Sequence, residues 1–165
     1  MAAHDSSGES QGEQGIDPDV DLHVPAQRLE LRLHPALLLG SIAAGGVLGS
    51  EVRYALTLAV PEPAGAVPWT TLAINVAGCL LMGLLMVAVR RHGARLPLLR
   101  PFAGVGVLGG FTTFSAYAVG VEGLAGDHPW QALAYLALTP ALAVPAVALG
   151  AGLGRVLLAS REAVA

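Results

Sequence analysis

The sequence predicts an all-α integral membrane protein of four transmembrane helices, with the third interrupted. Three observations carry this fold class. Of the 165 residues 54% are hydrophobic and mean hydropathy is +0.62, more apolar than a soluble domain of this length sustains. Four segments reach or approach the roughly 20 apolar residues that cross a bilayer. The basic residues, nine Arg and no Lys, gather on one side of the resulting topology.

Residues 1–33 precede the first span and read as a disordered acidic tail. Residues 1–30 hold seven of the twelve acids against one Arg and almost no large apolar side chains, a composition that cannot bury a core. This start lacks the basic residues and immediate apolar run of a signal peptide. It reads as a solvated extension, with partner binding as the alternative.

The membrane domain is expected over 34–158, followed by a short tail over 159–165. The first span covers 36–58 and carries Glu51 and Arg53 in its second half. The second (69–89) and third (101–121) are free of charge and flanked by Pro or Arg. The fourth covers 130–154 and is expected to kink or loosen at Pro140 and Pro145. Arg28, Arg32, Arg90, Arg91, Arg95, Arg100, Arg155 and Arg161 all fall on one side. The positive-inside rule therefore places both termini in the cytoplasm and argues against insertion in both directions.

Small residues recur at helix-packing spacing, at Gly45 and Gly49, Gly106 and Gly110, and Gly150 and Gly154. Four short helices enclose little volume, so any pathway is expected at an oligomer interface, at least a dimer. The stretch GVGVLG at 104–109 matches a dinucleotide fingerprint by letter only. It lacks the strand and soluble βαβ unit that motif requires.

Residues 109–117, GGFTTFSAY, place a glycine pair, three Thr and Ser hydroxyls and three rings inside the charge-free third span. Non-helical backbone at membrane depth is tolerated where it is buried in protein or lines an aqueous path, so this segment predicts a pore or binding centre. Asn75 sits mid-span, where its amide is either interhelical glue or a donor to an anion. Arg53 is costly in an apolar helix and is either functional or snorkelling to the interface; in a conductive role it would raise anion concentration at a pore mouth. Tyr135 and Thr139, four apart, share a face of the fourth helix and either line a polar track or bond a neighbour. Cys79 reads as a small packing residue. The five His residues show no ligand spacing, and no nucleophile with a base is evident, so an enzyme is not expected.

Taken in order, GGVLGSEVRY at 45–54, WTTLAINVAGCLLMG at 69–83 and GVLGGFTTFSAY at 106–117 resemble the CrcB/Fluc family of fluoride channels over residues 36 to about 155. The resemblance implies an antiparallel dimer of four-helix subunits in the cell inner (plasma) membrane, exporting fluoride passively and so reducing its cytoplasmic toxicity. It further implies a structural sodium ion at the dimer centre, held by the backbone carbonyls of Gly109 and Thr112. Asn75, Phe114, Ser115, Tyr117, Tyr135 and Thr139 would then line the anion path, with Arg53 at the vestibule. Three positions depart from the family pattern: Ala116 where Thr is usual, Tyr117 where Phe is usual, and Gly120 where an acid is expected. With the one-sided Arg distribution, these departures suggest one half of a heterodimer whose homologous partner inserts the other way round.

Two competing readings are a four-span multidrug or cation transporter using Glu51 and a noncatalytic scaffold subunit. Arg53 would oppose a cationic substrate, and the rings near the midplane belong to the third span alone. A scaffold would be indifferent to the loss of Asn75.

Overall fold

The computed structural model describes residues 33–162 except positions 64 and 94, with side chains described as far as Leu157. The expected N-terminal tail lies, but for residue 33, outside the described residues. Among the described residues four helical spans are long and apolar enough to cross a membrane.

Helix α1, Pro35–Ala59, begins with proline in its first turn, where a missing N–H leaves nothing unsatisfied, and His34 Nδ1 accepts from the Ala36 amide at 3.3 Å. Helix α2, Trp69–His92, is capped from the preceding loop: Glu62 Oε1 accepts from the Thr70 amide at 2.7 Å and from its hydroxyl at 3.0 Å. That carboxylate faces the positive end of the helix dipole, and Arg90, Arg91 and His92 occupy the negative end.

The third span is expected as one interrupted helix and is built in four pieces. Arg100–Leu108 is wound as a π-helix, in which the Gly109 amide reaches back five residues to the Gly104 carbonyl. One α-helical turn follows, α3, Gly109–Phe111. Thr112 and Thr113 are then extended, with φ/ψ of −79/158 and −148/120, and helix α4, Phe114–Ala125, completes the crossing.

Helix α5, Pro129–Glu162, runs past the expected end at 154. Residues 155–162 contain neither Gly nor Pro, so nothing in the local sequence stops the helix. Pro140 and Pro145 lie within it without ending it.

The packing divides the bundle into two halves that share the third span. α1 lies along Arg100–Leu108 and α3, whereas α2 lies along α5 and barely touches α1. α4 leaves α1 and joins α5, so the third span changes partner at its break. The expected glycine pairs make the close approaches. A Cβ on Gly45 or Gly49 would run into the carbonyl oxygens of Phe102 and Val107, and one on Gly150 into that of Leu80. A Cβ on Gly106 would lie 2.7 Å from the Ile42 carbonyl oxygen. Without a hydrophobic drive in lipid, backbone contact of this kind is what small residues supply. Tyr117, Leu124, Ala132 and Tyr135 form a buried cluster where α4 meets α5.

Candidate functional site

The break is defined by which donor each nearby carbonyl loses. In a continuous helix the Thr113 amide would bond the Gly109 carbonyl; here it donates to Asn75 Oδ1 at 2.8 Å. Asn75 Nδ2 donates in turn to the Thr113 carbonyl at 3.0 Å. A single carboxamide thus grips both polar groups of one residue across two spans. The Ala116 amide, which would otherwise bond the Thr112 carbonyl, donates to Thr113 Oγ1 at 3.1 Å as the cap of α4. Gly109 and Thr112 are therefore the two residues whose carbonyls lose their helical donors to side chains. The Gly110 carbonyl accepts from Arg53 Nε at 3.1 Å, and the Leu108 carbonyl takes both the amide and the hydroxyl of Thr112 at 3.0 and 2.9 Å.

Helix α2 shapes the other wall. A Cβ on Gly78, three residues after Asn75, would collide with the Thr112 methyl and lie 3.3 Å from the Phe111 ring. Only glycine lets the break settle there.

Beside the break lies a groove of about 460 Å³ lined by Asn75, Cys79, Thr112, Thr113, Phe114, Tyr117, Thr139, Pro140 and Ala143. It brings together five of the expected residues: Asn75, Thr112, Phe114, Tyr117 and Thr139. Phe114 is 79% exposed, so the groove has a wall with no cover from the described residues. The Phe114 and Tyr117 rings lie 5.7 Å apart, and Tyr117 and Tyr135 5.5 Å apart, which makes a tilted series running inward.

Ser115 and Tyr135 are absent from the groove lining. Ser115 is exposed, its hydroxyl 3.2 Å from Thr113 Oγ1. The helical repeat puts Phe114 and Tyr117 on one face of α4 and turns Ser115 off it. Tyr135 packs behind Tyr117 at 1% exposure, and its buried hydroxyl has no hydrogen-bond partner among the described residues. Thr139 Oγ1 donates to the Tyr135 carbonyl of its own helix at 3.0 Å rather than to a neighbouring span. Arg53 reaches the break from the α1 side, away from the groove lining.

Two of the three departures from the family pattern, Tyr117 and Gly120, acquire physical reasons; nothing in the structure explains Ala116. Pro140 has no N–H, so the Leu136 carbonyl four residues earlier loses its helical donor; the Tyr117 hydroxyl fills that place at 2.7 Å. At Gly120 a Cβ would sit 2.6 Å from Pro68 Cγ and 3.3 Å from Tyr135 Cε1, which leaves no room for an acidic side chain.

Cys79, Pro140 and Ala143 were not anticipated at this site, and Thr113 only as part of the 109–117 segment. A signal existed for two of them: Cys79 is four residues from Asn75 and Ala143 four from Thr139, on the same helix faces. Among the described residues no group of three or more His, Cys, Asp or Glu comes together. A metal ion at the break would be held by carbonyl oxygens, a donor type that unwound membrane helices offer to sodium.

The family described as CrcB-like protein, Camphor Resistance (CrcB), matches residues 41–151. The chain is 48% identical over 124 residues to the fluoride-specific ion channel FluC 2 of Nocardia farcinica, covering 74% of this chain and 88% of that one. It is 44% identical over 124 residues to FluC 2 of Streptomyces avermitilis, covering 74% and 78%. It is also similar to FluC 3 of the same organism, at 42% over 125 residues, covering 75% and 61%.

Proposed function

This chain belongs to the CrcB-like family, and on that premise we propose that it is one subunit of a fluoride-specific channel. It is a multi-pass membrane protein that lets fluoride leave the cytoplasm down its gradient. The observation that carries the reading is the groove at the break, which Asn75, Phe114 and Tyr117 line together and whose Phe114 face the described residues leave uncovered.

Fluoride is small and strongly hydrated, so a selective path must replace its water with closely spaced donors. Asn75 Nδ2 uses one N–H on Thr113 and has a second for an anion. Ring edges carry the positive part of the aromatic quadrupole, and Phe114 and Tyr117 present two rings 5.7 Å apart. The Tyr117 hydroxyl is bound to Leu136, so Tyr117 serves the path through its ring. Thr139 continues the lining behind it, Tyr135 backs the Tyr117 ring, and Ser115 lies toward the uncovered side.

The exposed Phe114 face calls for a second subunit, which in this reading is a homologous chain in the opposite orientation. The one-sided Arg distribution supports a single orientation for this chain, with both termini cytoplasmic, and hence a heterodimer. That one organism holds relatives numbered 2 and 3 supports the existence of such pairs. The carbonyls of Gly109 and Thr112, stripped of their helical donors, suit a structural sodium ion, which would supply a fixed positive charge between the subunits.

Fluoride efflux from liposomes carrying this chain alone, and this chain with a second family member from the same organism, tests the reading. Efflux is expected from the pair, lost on Phe114→Ala or Asn75→Leu while the protein remains folded. No fluoride selectivity over chloride in either preparation refutes the channel; full activity of the lone chain, present in both orientations, refutes the heterodimer.

A further inference from the structure

We propose that Arg53 is a positioning residue, acting through the hydrogen bond from its Nε to the Gly110 carbonyl rather than through its charge. This rests on the channel reading for its functional consequence. Four carbonyls at the break show the need for it. The carbonyls of Gly110 and Thr113 are taken by side chains reaching in from α1 and α2, by Arg53 at 3.1 Å and Asn75 at 3.0 Å. The helical donors of Gly109 and Thr112 are diverted to Asn75 and Thr113. Arg53, Asn75 and Thr113 thereby sort the carbonyls into two that are tied back and two that are released, and Arg53 holds the Gly110 carbonyl among the former.

The contact between α1 and α3 is otherwise mostly backbone, with the Ser50 hydroxyl beside Gly110. A Cβ on Gly49 would lie 2.8 Å from the Phe111 nitrogen and one on Gly110 2.5 Å from the Gly46 carbonyl oxygen. Glycine faces allow close approach but do little to fix rotation about the helix axis. The α1 hydroxyls of Ser41 and Thr57 bond back to their own helix, whereas Arg53 reaches across and fixes the angle at which α3 presents its carbonyls. A guanidinium that was present to attract anions would gain from solvent; this one is partly buried, with its Nε directed at a carbonyl.

Side-chain length separates the two roles. Glutamine carries its amide nitrogen as many bonds from Cα as the arginine Nε, without charge. Lysine keeps the charge but has a methylene at that place, and methionine has neither. The full-length variants Arg53→Gln, Arg53→Lys and Arg53→Met are reconstituted with whatever second subunit proves necessary. Fluoride efflux is measured, together with hydrogen exchange of the 105–118 segment in detergent.

Arg53→Met and Arg53→Lys are expected to reduce efflux about tenfold or more, the rate equivalent of one charge-assisted hydrogen bond, and to raise exchange at the break. Arg53→Gln is expected to recover most of the efflux and the native exchange pattern. An active Lys variant beside a Gln variant as poor as Met overturns the proposal in favour of charge, and any result in which Gln does not separate from Met overturns it as well. If the native protein shows no fluoride efflux, yet exchange at the break still ranks Gln with the native protein and Lys with Met, the channel reading fails and the positioning role stands.

Discussion

Before Thr112 the third span packs on α1 through glycine, whereas after Thr113 it packs on α5 through rings and hydroxyls. The first half carries its specificity as shape: the Gly45, Gly49, Gly106 and Gly110 approaches admit one separation and no side chain between. The second half carries it as directed bonds: the Tyr117 hydroxyl crosses to the Leu136 carbonyl of α5, while those of Thr113 and Thr139 engage main chain of their own helices. One membrane crossing thus obeys two packing rules, and the groove opens where they meet. A helix obeying either rule throughout would have no reason to change partner, and its carbonyls would stay in the helical ladder.

The largest expected effect breaks the shape half. Gly49→Leu would drive a side chain into the Val107 carbonyl and the Phe111 amide, both backbone, and backbone cannot swing away as a side-chain tip can. A cost above about 3 kcal/mol is expected, seen as loss of the monodisperse detergent-solubilised protein. Gly40→Leu, on the same helix where a Cβ meets nothing within 4 Å, should elute normally. Equal behaviour of the two would mean that the α1 approach does not shape the break.

The next effect falls at the junction. Asn75→Leu keeps volume and removes both bonds to Thr113, at a cost of about 1 kcal/mol for each bond and more if the groups stay buried and unpaired. The Thr113 amide is then free to return to the Gly109 carbonyl. Fluoride efflux should fall at least about tenfold, and exchange at the break should slow if the ladder closes. Asn75→Asp, which keeps the acceptor for the Thr113 amide but sets a charge beside its carbonyl, should fall between Leu and the native residue in thermal midpoint.

The two halves differ in how far the sequence betrayed them. The shape half was legible: small residues four apart in apolar spans have few uses other than close packing, and Gly45, Gly49, Gly106 and Gly110 do meet backbone. The location of the break was legible too, because GGFTT concentrates residues that a plain membrane helix avoids. The π-winding of Arg100–Leu108 had no sequence signal. The bonds of the second half were harder to read because their partners are distant: Tyr117 with Leu136, and Asn75 with Thr113. Glu62, in a loop that reads as a mere connection, caps α2 through Thr70, and only the folded path of the loop reveals it.

The smallest expected effect tests the directed-bond half on its own terms. Tyr117→Phe removes one hydroxyl from a buried site and leaves the ring, so it should cost about 0.5–1.5 kcal/mol and leave fluoride efflux largely intact, because the hydroxyl faces Leu136 rather than the groove. The cost has a specific origin: Pro140 cannot donate to the Leu136 carbonyl, so without the tyrosine that carbonyl is an acceptor with no donor. Pro140→Ala restores a main-chain N–H at the right place. In that background the hydroxyl competes for an acceptor already served, and Tyr117→Phe should be nearly neutral. A double-mutant cycle read from thermal midpoints in detergent should therefore show coupling close to the whole single-variant cost. Additive costs would mean that Tyr117 and Pro140 are independent features of this chain, and that the departure from phenylalanine at 117 needs another reason.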